Sequence, residues 1–174
     1  MVGTPVILSP GSQVLSLGRI VVNALELKVP PLALVLLLAL AMWLAAAQLP
    51  SLAFPLPWRH GLTVTISGVG ILFLLAGIYS FQKAKTTLNP TKPAATSSVV
   101  ASGVYRVSRN PMYVGFLLVL IGWAIFLSHP LPFLFLPVFV AYMNRFQISP
   151  EERALSAKFG DEYDRYKQGI RRWL

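Results

Sequence analysis

The sequence predicts an all-α integral membrane protein: about four transmembrane helices, ending in a C-terminal helical hairpin, with cytoplasmic tail helices beyond it. Three observations carry this reading. Of 174 residues, 55% are hydrophobic and only 12% charged, about half the charged share of a soluble domain. The apolar residues gather into continuous blocks of roughly membrane-crossing length. The charges fall almost wholly on one side of those blocks.

Residues 1–28 read as an N-terminal extension or interfacial segment. "SQVLSLGRIVVNALELKV" has the make-up of an amphipathic surface helix and lacks the basic start and small-residue cleavage site of a signal peptide. Residues 29–174 read as one membrane domain. Its spans are expected at roughly 30–49, 61–81, 111–127 and 131–146. The last two are short and are separated only by "SHPL", which predicts a tight hairpin. Pro137 is expected to kink the fourth helix. Between the second and third spans, 82–102 is polar and rich in Thr, Ser and Pro, the signature of a loop, and of a length that is often functional. The tail after 149 reads as two short helices broken at Gly160.

With the N-terminus cytoplasmic, the outer loops hold one of the 15 basic residues, Arg59, and none of the six acids. The positive-inside rule therefore selects both termini in the cytoplasm. This placement explains the net charge of +9 through anionic headgroups rather than nucleic acid. There is no cysteine, and His60 and His129 stand far apart in what read as short loops. No metal or haem centre is expected. A Ser/His/Asp arrangement, a phosphate-binding loop and an intramembrane carboxylate are all missing from the sequence, the last arguing against an ion-coupled transporter.

The polar material then lies on one membrane face: the 82–102 loop, "GVYRVSRNPMY" and the tail. Arg109-Asn110-Pro111-Met112-Tyr113 reads as a helix start, with Asn110 as N-cap and Pro111 at the first helical position. Tyr113 and Arg109 also suit the interface as an anchor and a snorkelling cation. A helix N-terminus flanked by Arg106 and Arg109 is equally a place for an anion. In "SPEERAL", Ser149 and Glu152 form an apparent capping box. That leaves Glu151 as a carboxylate with no structural role, suited to a cation such as a sulfonium or ammonium. Gly70 and Gly77, like Gly61 and Gly68, share a helix face in the second span and suit close helix packing. Arg145 costs roughly 2.5–3.5 kcal/mol if held at a membrane centre, so it is expected to face the loop, the headgroups or a polar pocket.

"TSSVVASGVYRVSRNPMYVGFLLVLIGW", a hairpin, then "EERALSAKFGDEYDRYKQGIRRW" resembles the isoprenylcysteine carboxyl methyltransferases. The broader group includes phospholipid N-methyltransferases and bacterial relatives. The shared pattern is Gly-x-Tyr, Arg-His-Pro-x-Tyr-x-Gly, a hairpin, one or two glutamates, and Phe-Gly-x-x-Tyr-x-x-Tyr. It covers about 96–173. The resemblance implies S-adenosyl-L-methionine held at the cytoplasmic interface. It places Ser97, Ser98, Val99, Val100, Tyr105, Asn110, Pro111, Met112, Tyr113 and Glu151 at cofactor-contact positions, and Glu152, the second of the glutamate pair, is expected in the cofactor-binding set with them. Arg109, Tyr113, Arg145 and Glu151 are the residues expected to serve catalysis. Two positions depart from the pattern. Asn110 stands where the family has His, and cannot become charged. Gln147 stands where prenylcysteine enzymes carry a substrate-associated Arg, with Arg145 two residues earlier.

What the resemblance implies is methyl transfer to a lipophilic acceptor, a small molecule or a lipidated substrate, entering from the lipid bilayer to meet a soluble cofactor. A carboxylate acceptor needs no general base; an amine does, and the only bases in reach are a glutamate or a tyrosine. A phospholipid or amine N-methyltransferase is the alternative within the fold. NADPH-dependent sterol reductases share an Arg-x-Pro-x-Tyr-x-Gly run, and a noncatalytic scaffold needs only the caps and aromatic belt. No eukaryotic sorting signal is visible, which points to a prokaryotic inner membrane. Oligomeric state is open, since the glycine faces of the second span suit either a monomer or a pair.

Overall fold

The computed structural model describes residues 26–50, 53, 55–85 and 96–174. Among these the chain is entirely helical: α1 (Pro31–Gln48), α2 (Arg59–Lys83), a 3-10 turn (Gly103–Arg106), α3 (Pro111–Leu127), α4 (Pro130–Phe133), α5 (Phe135–Tyr142), a π turn (Met143–Ile148), α6 (Ser149–Phe159) and α7 (Asp161–Gly169). Nearly all of the predicted extension, 1–25, and the centre of the predicted loop, 86–95, lie outside the described residues.

Three stretches are long and apolar enough to cross a membrane: α1 with 18 residues, α2 with 25, and the run Pro130–Phe159 with 30. The chain is a helical membrane protein. The apolar helix α3 is shorter, at 17 residues, about 25 Å at the helical rise. It is the central element, with a core of Met42, Tyr113, Leu120, Ala124, Phe139, Met143 and Ile148 around it. α1 turns Val35, Leu38 and Met42 inward, a spacing that puts all three on one stripe. Trp123 Nε1 ties α3 to α1 by donating to the Ala39 carbonyl at 3.0 Å.

α2 packs along α3 through small residues. A Cβ on Gly70 would lie 2.7 Å from the Gly115 carbonyl oxygen, and one on Gly115 would lie 2.6 Å from that of Gly70. The two backbones touch, as small-residue seams in membranes allow. Gly77 makes room for Met112, and Thr63 Oγ1 donates to the Gly122 carbonyl at 3.1 Å. The expectation for the other glycine pair is corrected. Gly61 and Gly68 have nothing within 4 Å of a built Cβ, because they lie off the face that meets α3. Most of α2 remains outward, with Val64, Leu72, Leu75 and Tyr79 exposed, as a helix solvated by lipid should be. His60 is likewise corrected from a loop to the first turn of α2.

Between α3 and α4, Ser128 adopts the left-handed region at φ 49°. Buried His129 caps α4 by accepting from the Leu131 N–H and bonds the Leu49 carbonyl at 2.9 Å. The helix is interrupted at Leu134. Pro137 causes this: it has no N–H for the Phe133 carbonyl, and its ring crowds that oxygen. Gly160, at φ +52°, separates α6 from α7 as expected.

Candidate functional site

The site begins where α2 ends. Gly103, at φ +60°, lies so close to α2 that an added Cβ would stand 3.0 Å from Ser80 Oγ, a turn that a side chain would strain. The following 3-10 turn buries Tyr105 against Phe81, edge to face with ring centroids 5.4 Å apart. Ser108 is fully buried. Its hydroxyl accepts the Asn110 N–H at 3.1 Å and donates to the Arg172 carbonyl at 3.3 Å.

Asn110 marks the boundary of α3, but its side chain does not cap the helix. Its Nδ2 instead donates to the Arg172 carbonyl at 2.9 Å, because the segment after α7 runs alongside 108–110. The Arg109 N–H donates to the Arg171 carbonyl at 2.9 Å. Trp173 Nε1 donates to Asn144 Oδ1 at 3.0 Å, so this segment bridges the start of α3 and the π turn.

The predicted capping box does not form. Ser149 has helical dihedrals and makes no side-chain cap, because the helix does not begin there. It continues from α5 through the π turn, and the Ser149 hydroxyl reaches back to the Asn144 carbonyl at 2.6 Å. Pro150 supplies the reason for the irregular turn. It offers no N–H to the Phe146 carbonyl, which accepts from the Leu27 N–H at 3.0 Å instead.

The two neighbouring glutamates have different surroundings. Glu151 Oε1 accepts from Tyr113 Oη at 2.6 Å and from Gln147 Nε2 at 2.6 Å. Both donors are uncharged, so neither of these hydrogen bonds brings a cation to the carboxyl group. Glu152 lies between two guanidiniums. Its Oε1 is 3.2 Å from Arg109 Nη1 and accepts from Arg172 Nε at 3.2 Å, while Oε2 takes Arg172 Nη2. That cluster has a surplus positive charge. Within it, Arg109 Nε is buried with no hydrogen-bond partner among the described residues. A buried donor left unmet is costly, and it suits an acceptor arriving with a ligand.

Tyrosines enclose these charges. Tyr166 Oη donates to the Tyr105 carbonyl at 2.7 Å, and Tyr163 is buried beside it. Burial pushes the Tyr105, Tyr163 and Tyr166 phenols up. The charge of Glu151 adds to this for Tyr105, and those of Glu152 and Glu151 for Tyr163. All three remain neutral at ordinary pH.

The structure thus gathers Tyr105, Arg109, Asn110, Tyr113, Glu151 and Glu152. Pro111 is buried at the start of α3, and Met112 packs on Gly77. Val100 is buried, Ser98 and Val99 are half-buried and Ser97 is exposed, in the strand of chain leading to the 3-10 turn. Arg145 does not join the group. It is turned away from Gln147, two residues on, and pairs with Glu26 at 2.5 Å with its side chain 42% exposed. Glu152 pairs with two arginines rather than closing a capping box with Ser149. Sequence reasoning passed over Tyr163, Tyr166 and Arg172. The Tyr-x-x-Tyr spacing was a signal for the first two, since residues three apart share a helix face; Arg172 had none.

Residues 58–162 match the phospholipid methyltransferase family. The chain belongs to that family. The matched region holds every member of the site just described except Tyr163, Tyr166 and the segment after α7. An uncharacterized protein of Haemophilus influenzae is 49% identical over 63 residues, 36% of this chain and 100% of that protein. Protein-S-isoprenylcysteine O-methyltransferase B of Arabidopsis thaliana is 29% identical over 113 residues, 65% of this chain and 57% of that enzyme. No solved structure matches significantly.

Proposed function

We propose that this protein transfers a methyl group from S-adenosyl-L-methionine to a lipophilic acceptor dissolved in the membrane. The observation that carries the reading is the split charge of the site. Glu151 is a carboxyl group with uncharged partners, and its neighbour Glu152 pairs with Arg109, which holds an unmet buried donor within a net positive cluster. The cofactor fits this set: its ammonium and sulfonium suit Glu151, and its carboxylate suits Arg109. When bound, it supplies an electrophilic methyl on a positively charged sulfur. Tyr113 and Gln147 hold Glu151 in one orientation by two short hydrogen bonds. The neutral tyrosines give the site walls that exclude water, which strengthens the charge interactions inside. For an amine acceptor, Glu151 is the group positioned to take the proton; a carboxylate acceptor needs none.

We read residues 29–174 as a single multi-pass unit of four spans, α3 and α5 forming the closing hairpin, with both termini cytoplasmic in a prokaryotic inner membrane. Outward apolar residues on α2 leave the bilayer as the route for the acceptor. The acceptor reading that follows the plant relative is a prenylated cysteine carboxylate. An amine-bearing lipid is the second reading, favoured by Gln147, which puts an uncharged carboxamide where a carboxylate acceptor calls for a guanidinium.

The test is methyl transfer in lipid nanodiscs with methyl-labelled S-adenosyl-L-methionine, offered farnesylcysteine or phosphatidylethanolamine. A base-labile ester identifies the carboxylate acceptor, and a base-stable product the amine. Glu151→Gln is expected to lower the rate by about 10²-fold or more. Undiminished transfer in both Glu151→Gln and Tyr113→Ala would refute the reading.

A further inference from the structure

We propose that Arg172 is a positioning residue that keeps Arg109 available as a subsite for a carboxylate, the amino-acid carboxylate of the cofactor. The inference rests on the cofactor reading above and concerns how one corner of that site is charged.

Glu152 has two oxygens, and Arg172 engages both, through Nε on Oε1 and Nη2 on Oε2. Arg109 shares only Oε1, through Nη1 at 3.2 Å. Its guanidinium therefore keeps a net claim on a second anion, and its buried Nε has no hydrogen-bond partner among the described residues. Without the Arg172 side chain, Oε2 of Glu152 would be released to a second N–H of Arg109. The pair would become a neutral, two-point ion pair of the kind arginine and carboxylate prefer, with no charge left for a ligand. Arg172 thus prevents Glu152 from neutralising Arg109.

The backbone holds Arg172 in this place. Its carbonyl accepts from Asn110 Nδ2 at 2.9 Å and from Ser108 Oγ at 3.3 Å, and the next residue is fixed by the Trp173–Asn144 bond at 3.0 Å. The guanidinium is aimed from a tethered base. The other corner is Glu151, the residue next to Glu152, whose hydrogen-bond partners are both uncharged. A ligand with a cation at one end and a carboxylate at the other meets both corners.

The experiment is calorimetric binding to the purified full chain in nanodiscs, using S-adenosylhomocysteine and its decarboxylated analogue, which lacks only the carboxylate. Wild type should prefer S-adenosylhomocysteine by about tenfold or more, the worth of one charged hydrogen bond. Arg172→Gln should abolish that preference by weakening S-adenosylhomocysteine alone, the analogue changing by less than about threefold. Arg172→Lys retains the charge but cannot grip both Glu152 oxygens, and should lose part of the preference. Equal weakening of both ligands in Arg172→Gln would mean a merely structural role and overturn the proposal, as would an unchanged ratio. If Arg172→Gln does not fold, an undiminished preference in folded Arg172→Lys overturns it instead. Wild type binding neither nucleoside would overturn the cofactor reading, and this inference with it.

Discussion

Two clusters in this molecule have the same composition, one glutamate between two arginines, and differ in burial. Glu152 joins Arg109 and Arg172, with side chains 12% and 35% exposed. Glu26 joins Arg145 and Arg153, whose side chains are 42% and 59% exposed. In the second cluster water competes for each guanidinium, and the net contribution of such pairs is small. In the first, Arg109 is largely withdrawn from water, so the carboxylate is needed to keep the two cations together. Identical chemistry thus serves at one place as surface cohesion and at the other as the charge setting of a site.

The contrast can be broken by mutation. Glu152→Ala should cost about 2–4 kcal/mol, less than a fully buried pair because Arg172 is partly exposed; thermal unfolding in detergent reads it. A loss no larger than that of Glu26→Ala would erase the distinction. Glu26→Ala itself should cost at most about 1 kcal/mol, and raising the ionic strength should remove most of that difference while leaving the Glu152→Ala deficit. Smallest is Arg153→Ala, expected within about 0.5 kcal/mol of wild type, since Arg145 still holds Glu26. A larger effect would show that Glu26 anchors more than a surface.

The parts of this fold that the sequence made legible are those that depend on neighbours along the chain. Continuous apolar blocks marked the membrane helices, Pro137 marked an interruption, and Gly160 marked the break in the tail. Ser149-Pro150-Glu151-Glu152 misled for the same local reason. It has the spelling of a helix start, but the helix already present upstream supplies the turn, and the hydroxyl finds the Asn144 carbonyl behind it. Glu151 and Tyr113 were singled out because nothing local employed the first and the second stood at a helix mouth. The Arg109–Glu152–Arg172 group was beyond reach. It joins three segments far apart in the chain, and no pattern within any one of them says which arginine meets which acid. Gly61 and Gly68 failed likewise, since periodicity shows that two glycines share a face but not whether that face meets a helix or lipid.

The π turn between α5 and α6 makes chain length itself a determinant of the site. Each residue added to or taken from a helix rotates everything beyond it by about 100°. Upstream of the turn Phe139 faces the core, as does Met143 at its first position; downstream, Glu151 faces Tyr113. Removing one uncharged residue between 143 and 148 should restore an ordinary helical register while every charged side chain is kept, yet it swings Glu151 away from its partner. In this stretch, a deletion is therefore a more severe change than most substitutions, and the spacing between core and carboxylate is as much a part of the chemistry as the carboxylate.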